Sequence, residues 1–456
     1  MIAMTLHDAA HAMEGRLSGR DRSFVGVSTD SRTLNIDELF VALRGERFDG
    51  HDAIDDAVTK GAAAAVVSAK PGASHAAPTI EVADTRRALG LLARSWRRQF
   101  ALPVIGITGS NGKTTTKEMT AAIMRERGAV LATRENLNND LGVPLTIFGM
   151  ASAQCAAVIE MGANRPLDIA ELVAIAEPTV AVVTMAAAAH LEGFGTLRGV
   201  AEAKGKIYSR LGAQGVAVIN ADDEFAAYWR ETAAHSKRVT FGIDQAADFS
   251  AANITLGAIG AGVEFELRSP HGALPIRLRL DGVHNVYNAL AAAAVSTAAG
   301  AELRDIQRGL ANVAPVHGRL EPHRGINDAV IIDDTYNANP TSLAAGLAVL
   351  SASTGERWLV LGDMGELGTA EASAHRAAGD AARAAGVSRM FTLGARAEAA
   401  GVAFGVGAVH FSAPEDLIKT LLASVNAEVT LLIKGSRVMQ LDRIVTALTE
   451  IGSPPC

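Results

Sequence analysis

At 456 residues the chain is too long for one ordinary hydrophobic core, and about three domains are expected. Its formal net charge of −7 argues against a general nucleic-acid binder, and 49% hydrophobic with only 4% aromatic residues suits alanine-rich α/β domains. Two cysteines, Cys155 and Cys456, indicate no disulfide framework, and neither the N-terminus nor the longest apolar run, 180–189, has the character of a signal or a membrane span, so a soluble cytoplasmic protein is expected.

Residues 1–98 alternate short elements: strands at 40–43 and 63–67, a helix at 53–59, and a closing basic helix at 85–98. A second block opens with a strand at 102–107 and continues through strands at 156–159, 180–183 and 215–219 with helices between, the pattern of a parallel doubly wound sheet. Between 239 and 281 the pattern becomes strict alternation, with Val263, Phe265 and Leu267 in one run and Ile276, Leu278 and Leu280 in another, which predicts an appended antiparallel hairpin. An alanine helix at 285–299 closes the block, and 315–318 reads as a linker. The last block repeats the logic with strands at 330–332, 358–361, 390–393 and 429–433, and Gly362 and Gly394 mark βα turns. The reading is α/β throughout, in three domains at 1–99, 100–314 and 315–456.

The densest chemistry lies at 106–118, Gly-Ile-Thr-Gly-Ser-Asn-Gly-Lys-Thr-Thr-Thr-Lys-Glu, between the strand at 102–107 and a helix carrying Met119, Ala122 and Ile123 on one face. Strand, glycine loop and helix N-terminus form a phosphate cradle, with Lys113 reaching the β- and γ-phosphates and the Thr114 hydroxyl available to Mg²⁺. The loop is a compressed variant: the usual first glycine position holds Ile107, and the spacing is Gly109-x-x-Gly112-Lys113-Thr114. A nucleoside triphosphate is the expected ligand.

Other residues carry two readings each. Glu160, at the carboxyl end of a strand, suits a Mg²⁺ ligand or a solvent-facing strand end. His190 is a loop histidine, structural or ligating, and Lys204 reads as an ordinary exposed helix lysine. Asn285 and Asn288 share a helix face, where they read an adenine edge or cap the helix. Tyr336-Asn337-Ala338-Asn339-Pro340 and Lys434-Gly435-Ser436-Arg437 crowd polar groups at strand ends, as ligand sites or as turn chemistry.

Together these residues resemble the Mur ligase family over nearly the whole chain. The first domain supplies Asp30-Ser31-Arg32, Leu39-Phe40-Val41-Ala42-Leu43-Arg44-Gly45 and Asp49-Gly50-His51. The middle supplies the compressed loop Thr108-Gly109-Ser110-Asn111-Gly112-Lys113-Thr114-Thr115, Asn136-Leu137-Asn138-Asn139, Glu160-Met161-Gly162 and Ala189-His190-Leu191-Glu192-Gly193-Phe194-Gly195. The third-domain motifs, with Gly362-Asp363-Met364, Glu366-Leu367-Gly368 and His375, are similar to those of the member that adds D-alanyl-D-alanine.

The resemblance implies a UDP-binding domain, a central P-loop ATPase domain and a C-terminal Rossmann-like acceptor domain. It implies an ATP-dependent ligase joining D-alanyl-D-alanine to UDP-N-acetylmuramoyl-tripeptide; a monomer is the default expectation, on which the sequence itself is silent. Thr108, Gly109, Ser110, Asn111, Gly112, Lys113, Thr114, Thr115, Asn285, Asn288, Arg319 and Asp334 would bind ATP. Thr114, Glu160, His190 and Lys204, the last as a carbamate, would surround two Mg²⁺ ions, with Lys113, Glu160, His190 and Lys204 catalytic. Ser31, Arg32, Gly45, Asp49, Asn138 and Asn139 would meet the nucleotide-sugar substrate, and Tyr336, Asn337, Asn339, Lys434 and Ser436 the acceptor side. Three positions depart from the family pattern: Ala53, Met185-Ala186 and Lys206. A folylpolyglutamate-synthetase-like or recycling ligase is the alternative within the class. A GTPase-like switch would want Asn-Lys-x-Asp, which the chain lacks.

Overall fold

The computed structural model describes residues 2–45, 47–68, 77–189 and 191–449. Their strands form three main sheets, five-, nine- and six-stranded in chain order, and a two-stranded ribbon pairing Ala3–Thr5 with Ser23–Val25. This is the α/β architecture in three domains that the alternation of short apolar runs and helices predicts.

The nine-stranded sheet positions the phosphate loop. Its central strand, Val104–Thr108, is buried at every residue and lies between Gln154–Glu160 and Val180–Val183, both parallel to it. Burial on both faces explains why it reads as a continuous apolar run and not as an alternation. The predicted hairpin is present as Val263–Ser269 and Gly272–Leu278, which pair antiparallel at one edge, with Val263, Phe265 and Leu267 turned into the core.

On one face of this sheet the phosphate-loop helix, Lys113–Arg125, packs against the alanine helix, Val283–Ala298, and against Leu303–Ala311. Met119, Ile123, Leu290, Ile306 and Leu310 share that core. Gly309 permits the closest approach: a Cβ there would stand 2.4 Å from Ile123 Cα. The other face joins the first domain. Leu89, Leu92 and Trp96 of the helix Thr85–Arg97 enter one core with Ile169 and Leu172 of Asp168–Ala176, and Arg97 Nε donates to Ala176 O at 3.0 Å. The first two domains therefore share a hydrophobic core.

In the six-stranded sheet Val330–Asp334, Val429–Lys434 and Glu356–Gly362 run parallel and adjacent, so Asp334, Lys434 and Gly362 finish at one edge. Three edge strands escape the sequence pattern: Ala129–Ala132, Glu321–Arg324 and Ala408–Phe411. Each is only four residues long and partly exposed, and polar residues interrupt the last two, whereas Ala129–Ala132 is an apolar run too short to stand out. The helix expected at 53–59 divides into a 3₁₀ turn, Gly50–Ala53, and the helix Ile54–Thr59. No helix among the described residues is long and apolar enough to cross a membrane.

Glycine to alanine inside a helix ordinarily gains about 0.5–1 kcal/mol. For Gly309→Ala the contact with the Ile123 backbone reverses that sign, and a loss of about 1–2 kcal/mol is expected. Urea denaturation checks it, and a raised midpoint would show that the two helices can part without cost.

Candidate active site around the phosphate loop

Two glycines shape the loop. Gly109 has φ 153°, and a Cβ there would meet Thr184 Oγ1 at 1.8 Å; Gly112 has φ 79°, and a Cβ would meet Asn288 Oδ1 at 2.3 Å. Both positions therefore exclude a side chain. Neighbouring strand ends strap the loop down. Thr184 Oγ1 donates to Asn111 O at 2.6 Å, and Ser110 Oγ donates to Ala187 O at 3.1 Å while accepting from Ala187 N at 2.9 Å. Gly112 offers the helix no side-chain cap, so N–H groups of its first turn stay available to an anion. Lys113 Nζ curls back over the loop, donating to Gly109 O at 2.8 Å and to Ser110 O at 3.3 Å.

Glu160 ends the strand beside the loop strand and is 2% exposed. Its Oε1 accepts from Asn138 Nδ2 at 2.8 Å, and its backbone N–H donates to Thr133 Oγ1 at 2.9 Å, while Oε2 is buried with no partner. The solvent-facing reading of Glu160 is therefore overturned. A buried carboxylate oxygen lacking a donor is costly unless a cation meets it. Burial lowers the Lys113 pKa, partly offset by Glu160 and reinforced by Arg319.

Lys204 corrects the sequence reading taken from helix position alone. It lies on Leu197–Gly205 but is 1% exposed, because that helix packs its inner face against the helix Asp168–Ala176 and the segment Leu191–Phe194. Burial and the nearby Lys113 charge hold its amine well below the usual lysine range, which favours the neutral, nucleophilic form. His190 lies outside the described residues. Of the departures, Lys206 is exposed, Met185 faces the cavity described next, and the Ala186 N–H donates to Asp223 at 2.8 Å.

A cavity of ≈ 380 Å³ opens from the loop, between the start of the alanine helix and the third domain. Asn285 and Asn288 both border it, as their i, i+3 spacing implies. Gly282, not Asn285, holds the cap position, so the capping reading fails. Asn285 Nδ2 donates to Asp281 O at 2.8 Å, and Asn288 Nδ2 donates to Asn285 Oδ1 at 3.0 Å, so each amide is fixed in orientation. Thr108 stays behind the loop, its hydroxyl bonded to Met161 O at 2.7 Å, whereas Thr115 reaches the cavity wall.

The third domain closes the far side. Arg319 donates to Thr114 Oγ1 at 2.9 Å and lies 4.2 Å over the Tyr336 ring, with Arg437 5.2 Å from the same ring. Asn339 Nδ2 donates to Asn111 Oδ1 at 2.8 Å, while its own Oδ1 caps the helix Pro340–Ser351 through Ser342 N at 2.9 Å. Lys434 is fully buried and donates to Asp334 Oδ2 at 2.5 Å and to Asn337 O at 2.9 Å. Ser436 Oγ accepts from Gly365 N at 2.8 Å and does not border the cavity. His375, fully buried, accepts from Met364 N at 3.0 Å and so pins the Gly362-Asp363-Met364 turn.

The first-domain candidates stand apart from this cavity. Ser31 O accepts from Lys60 Nζ at 3.0 Å, Arg32 pairs with Asp30, and Gly45 N donates to Phe48 O at 2.9 Å. Asp49 meets the buried His51 at 2.5 Å, and the hydrogen bonds from His51 hold the Asp49 carboxyl at about 2. Asn139 Oδ1 accepts from Leu141 N at 3.2 Å and from Gly142 N at 2.8 Å, a local turn role.

Sequence reasoning missed His284, Tyr287 and Asp222 in the cavity wall. Tyr287 OH donates to Asp222 Oδ2 at 2.8 Å, and Asp222 also accepts from three successive backbone N–H groups, Ile243, Asp244 and Gln245. The available signal was the polar run Asn220-Ala221-Asp222-Asp223 at the end of a parallel strand. Burial, aided by the Lys434 charge, lowers the His284 pKa from 6.5 to about 4. The native imidazole therefore stays neutral while the unfolded one takes a proton below pH 6.5. Stability is expected to fall by about 1.4 kcal/mol per pH unit from this group between pH 6.5 and 4, and not to depend on it above pH 6.5. Subtracting the denaturation profile of His284→Gln from that of the parent checks this; parallel profiles would refute it.

Three protein-family models match the chain in order: "Mur ligase family, catalytic domain" at 23–97, "Mur ligase middle domain" at 107–296 and "Mur ligase, glutamate ligase domain" at 318–437. The UDP-N-acetylmuramoyl-tripeptide–D-alanyl-D-alanine ligase of Escherichia coli K12 is 43% identical, with 99% of this chain and 100% of that protein aligned. A crystal structure of MurF from Acinetobacter baumannii superposes with a TM-score of 0.93 at 35% identity, covering 99% of both chains. MurF ligase from Thermotoga maritima, solved in complex with ADP, gives 0.81 at 27% identity over 92% of this chain and 96% of its own. A phosphate loop, a buried carboxylate and lysine beneath it, and full-length kinship of this strength lead to one conclusion: the chain belongs to the Mur ligase family.

Proposed function

We infer that the protein is an ATP-dependent ligase that joins D-alanyl-D-alanine to UDP-N-acetylmuramoyl-tripeptide, releasing ADP and phosphate. The observation that carries this reading is kinship along the whole length to ligases of that name, which includes the third-domain motifs facing the phosphate loop. We assign the segments 1–99, 100–314 and 315–456 to the nucleotide-sugar, ATP and acceptor, and take the enzyme to act as a cytoplasmic monomer.

The mechanism follows from what these side chains can do. Lys113, Arg319 and the loop N–H groups hold the triphosphate, with Asn285 and Asn288 toward the base and Asp334 toward the ribose. Ser31, Arg32, Gly45 and Asp49 receive the uridine-diphosphate end of the substrate, and Asn138 and Asn139 its inner portion. The terminal carboxylate attacks the γ-phosphorus, breaking the bond to the β-phosphate oxygen and giving an acyl phosphate and ADP. The free amine of D-alanyl-D-alanine, held near Tyr336, Asn337, Asn339, Lys434 and Ser436, then attacks the acyl carbon. Phosphate leaves with the C–O bond, and the amine loses a proton. Cations offset repulsion between carboxylate and polyphosphate, so positioning and electrostatics supply most of the rate. The third domain covers the cavity and keeps water from the acyl phosphate.

The residues beneath the loop fit divalent cations. Glu160 Oε2 is buried without a partner, and Lys204 is held toward the neutral amine that adds CO₂ and loses a proton to give a carbamate. Thr114, Glu160, carbamylated Lys204 and His190 would hold Mg²⁺. When bound, Mg²⁺ screens the phosphate charge during transfer.

Phosphate release is expected only when UDP-N-acetylmuramoyl-tripeptide, D-alanyl-D-alanine, ATP and Mg²⁺ are all present. Turnover with a single amino acid in place of the dipeptide would favour another ligase of the family. Lys204→Ala is expected to abolish turnover, with partial recovery on adding small carboxylic acids; full activity in the variant would remove the lysine from the mechanism.

A further inference from the structure

Near the junction of the second and third domains lies a cluster of ligating groups separate from the nucleotide cavity. Glu321 opens the edge strand Glu321–Arg324 and stands directly opposite Asp333 of Val330–Asp334 in the antiparallel register. Two carboxylates facing each other across a strand pair repel unless something compensates them. Asp333 is fully buried. Its Oδ1 accepts from Thr335 N at 3.0 Å and from Thr335 Oγ1 at 2.6 Å, but Oδ2 has no hydrogen-bond partner. His317, exposed on the linker, sets its Nδ1 3.2 Å from Glu321 Oε2 and 3.9 Å from Asp333 Oδ2. One ligand atom from each of the three residues lies within 4.8 Å of the other two. His323 Nε2, buried and without a hydrogen-bond partner, stands 3.5 Å from Glu321 Oε2.

The 3.2 and 3.5 Å separations are close to those of a tetrahedral coordination shell, and the 3.9 Å one is half an ångström wider. Metal–ligand bonds of about 2.0–2.2 Å place neighbouring tetrahedral ligands about 3.4 Å apart. The donors are imidazole nitrogen and carboxylate oxygen, a set that suits zinc-class ions better than Mg²⁺ or Ca²⁺, which prefer oxygen alone. We propose that His317, Glu321 and Asp333, with His323 beside them, bind one divalent ion of the zinc class. The ion neutralises the facing carboxylates and ties the linker to the strand that ends at Asp334. Arg319 lies between two of the ligands in sequence, on a turn held by its own N–H to Val316 O at 3.0 Å. The bound ion therefore fixes the turn from which Arg319 reaches the phosphate loop.

The test uses the full-length protein, stripped with chelator and free of nucleotide, titrated with Co²⁺ by calorimetry and by visible absorption. Glu160→Gln, which alters the cation site beneath the loop, is expected to keep one equivalent with the intense bands of tetrahedral cobalt, and the parent to show that same equivalent beside any ion held at Glu160. His317→Ala, a change at an exposed position that leaves the core intact, is expected to weaken that equivalent about tenfold or more and to lose the bands. Glu321→Gln is expected to do the same. Failure of the parent to bind this equivalent, or equal binding by the His317→Ala protein, overturns the proposal.

Discussion

Charge that water cannot reach governs this molecule. Glu160 and Lys204 are withdrawn from solvent beside the phosphate loop, and the half-buried Lys113, which borders the cavity, acts against Lys204. An isolated buried ammonium is costly, so the chain must keep one amine neutral or change its chemistry. Conversion of Lys204 to a carbamate would turn a repelling pair into an attracting one and give Glu160 a fellow anion. Two carboxylates around one ammonium then present a net negative floor, suited to a divalent cation and, above it, a polyphosphate. The loop glycines, strapping hydroxyls and central strand hold this arrangement within the small tolerances that buried electrostatics demand.

The third domain is joined to that floor by polar contacts. Arg319 bonds Thr114, and Asn339 bonds Asn111, so the loop that would hold phosphate also receives the incoming domain. Polar contacts of this kind exchange readily with water, whereas the core shared by the first two domains does not. The molecule thus combines two domains that share one core with a third that meets the phosphate loop through polar side chains and adds Ile259 of the middle domain to its own core.

Much of this was legible in the sequence because the loop, the buried parallel strands and the hairpin each obey a local rule. Val104–Thr108 is apolar throughout because both faces are covered, and Val263–Ser269 alternates because one is not. Lys204 was illegible from its own surroundings. Nothing in Ala-Glu-Ala-Lys-Gly-Lys separates a buried lysine from the exposed Lys206 two residues on, since the difference is made by packing from distant segments. The same holds for Asp222 and Tyr287, which are 65 residues apart and meet only through the fold. Short edge strands such as Glu321–Arg324 were missed because an edge needs little apolar character.

Asn339 serves two structures at once, with one oxygen capping its own helix and one nitrogen held out to the phosphate loop. The cap depends only on residues of the third domain, so it needs no contact with the phosphate loop. The amide is consequently aimed at Asn111 by its own helix, and its rotamer entropy is lost on folding and not on making the contact between domains. A side chain anchored in this way would spare any docking of the third domain a search among conformers at this contact.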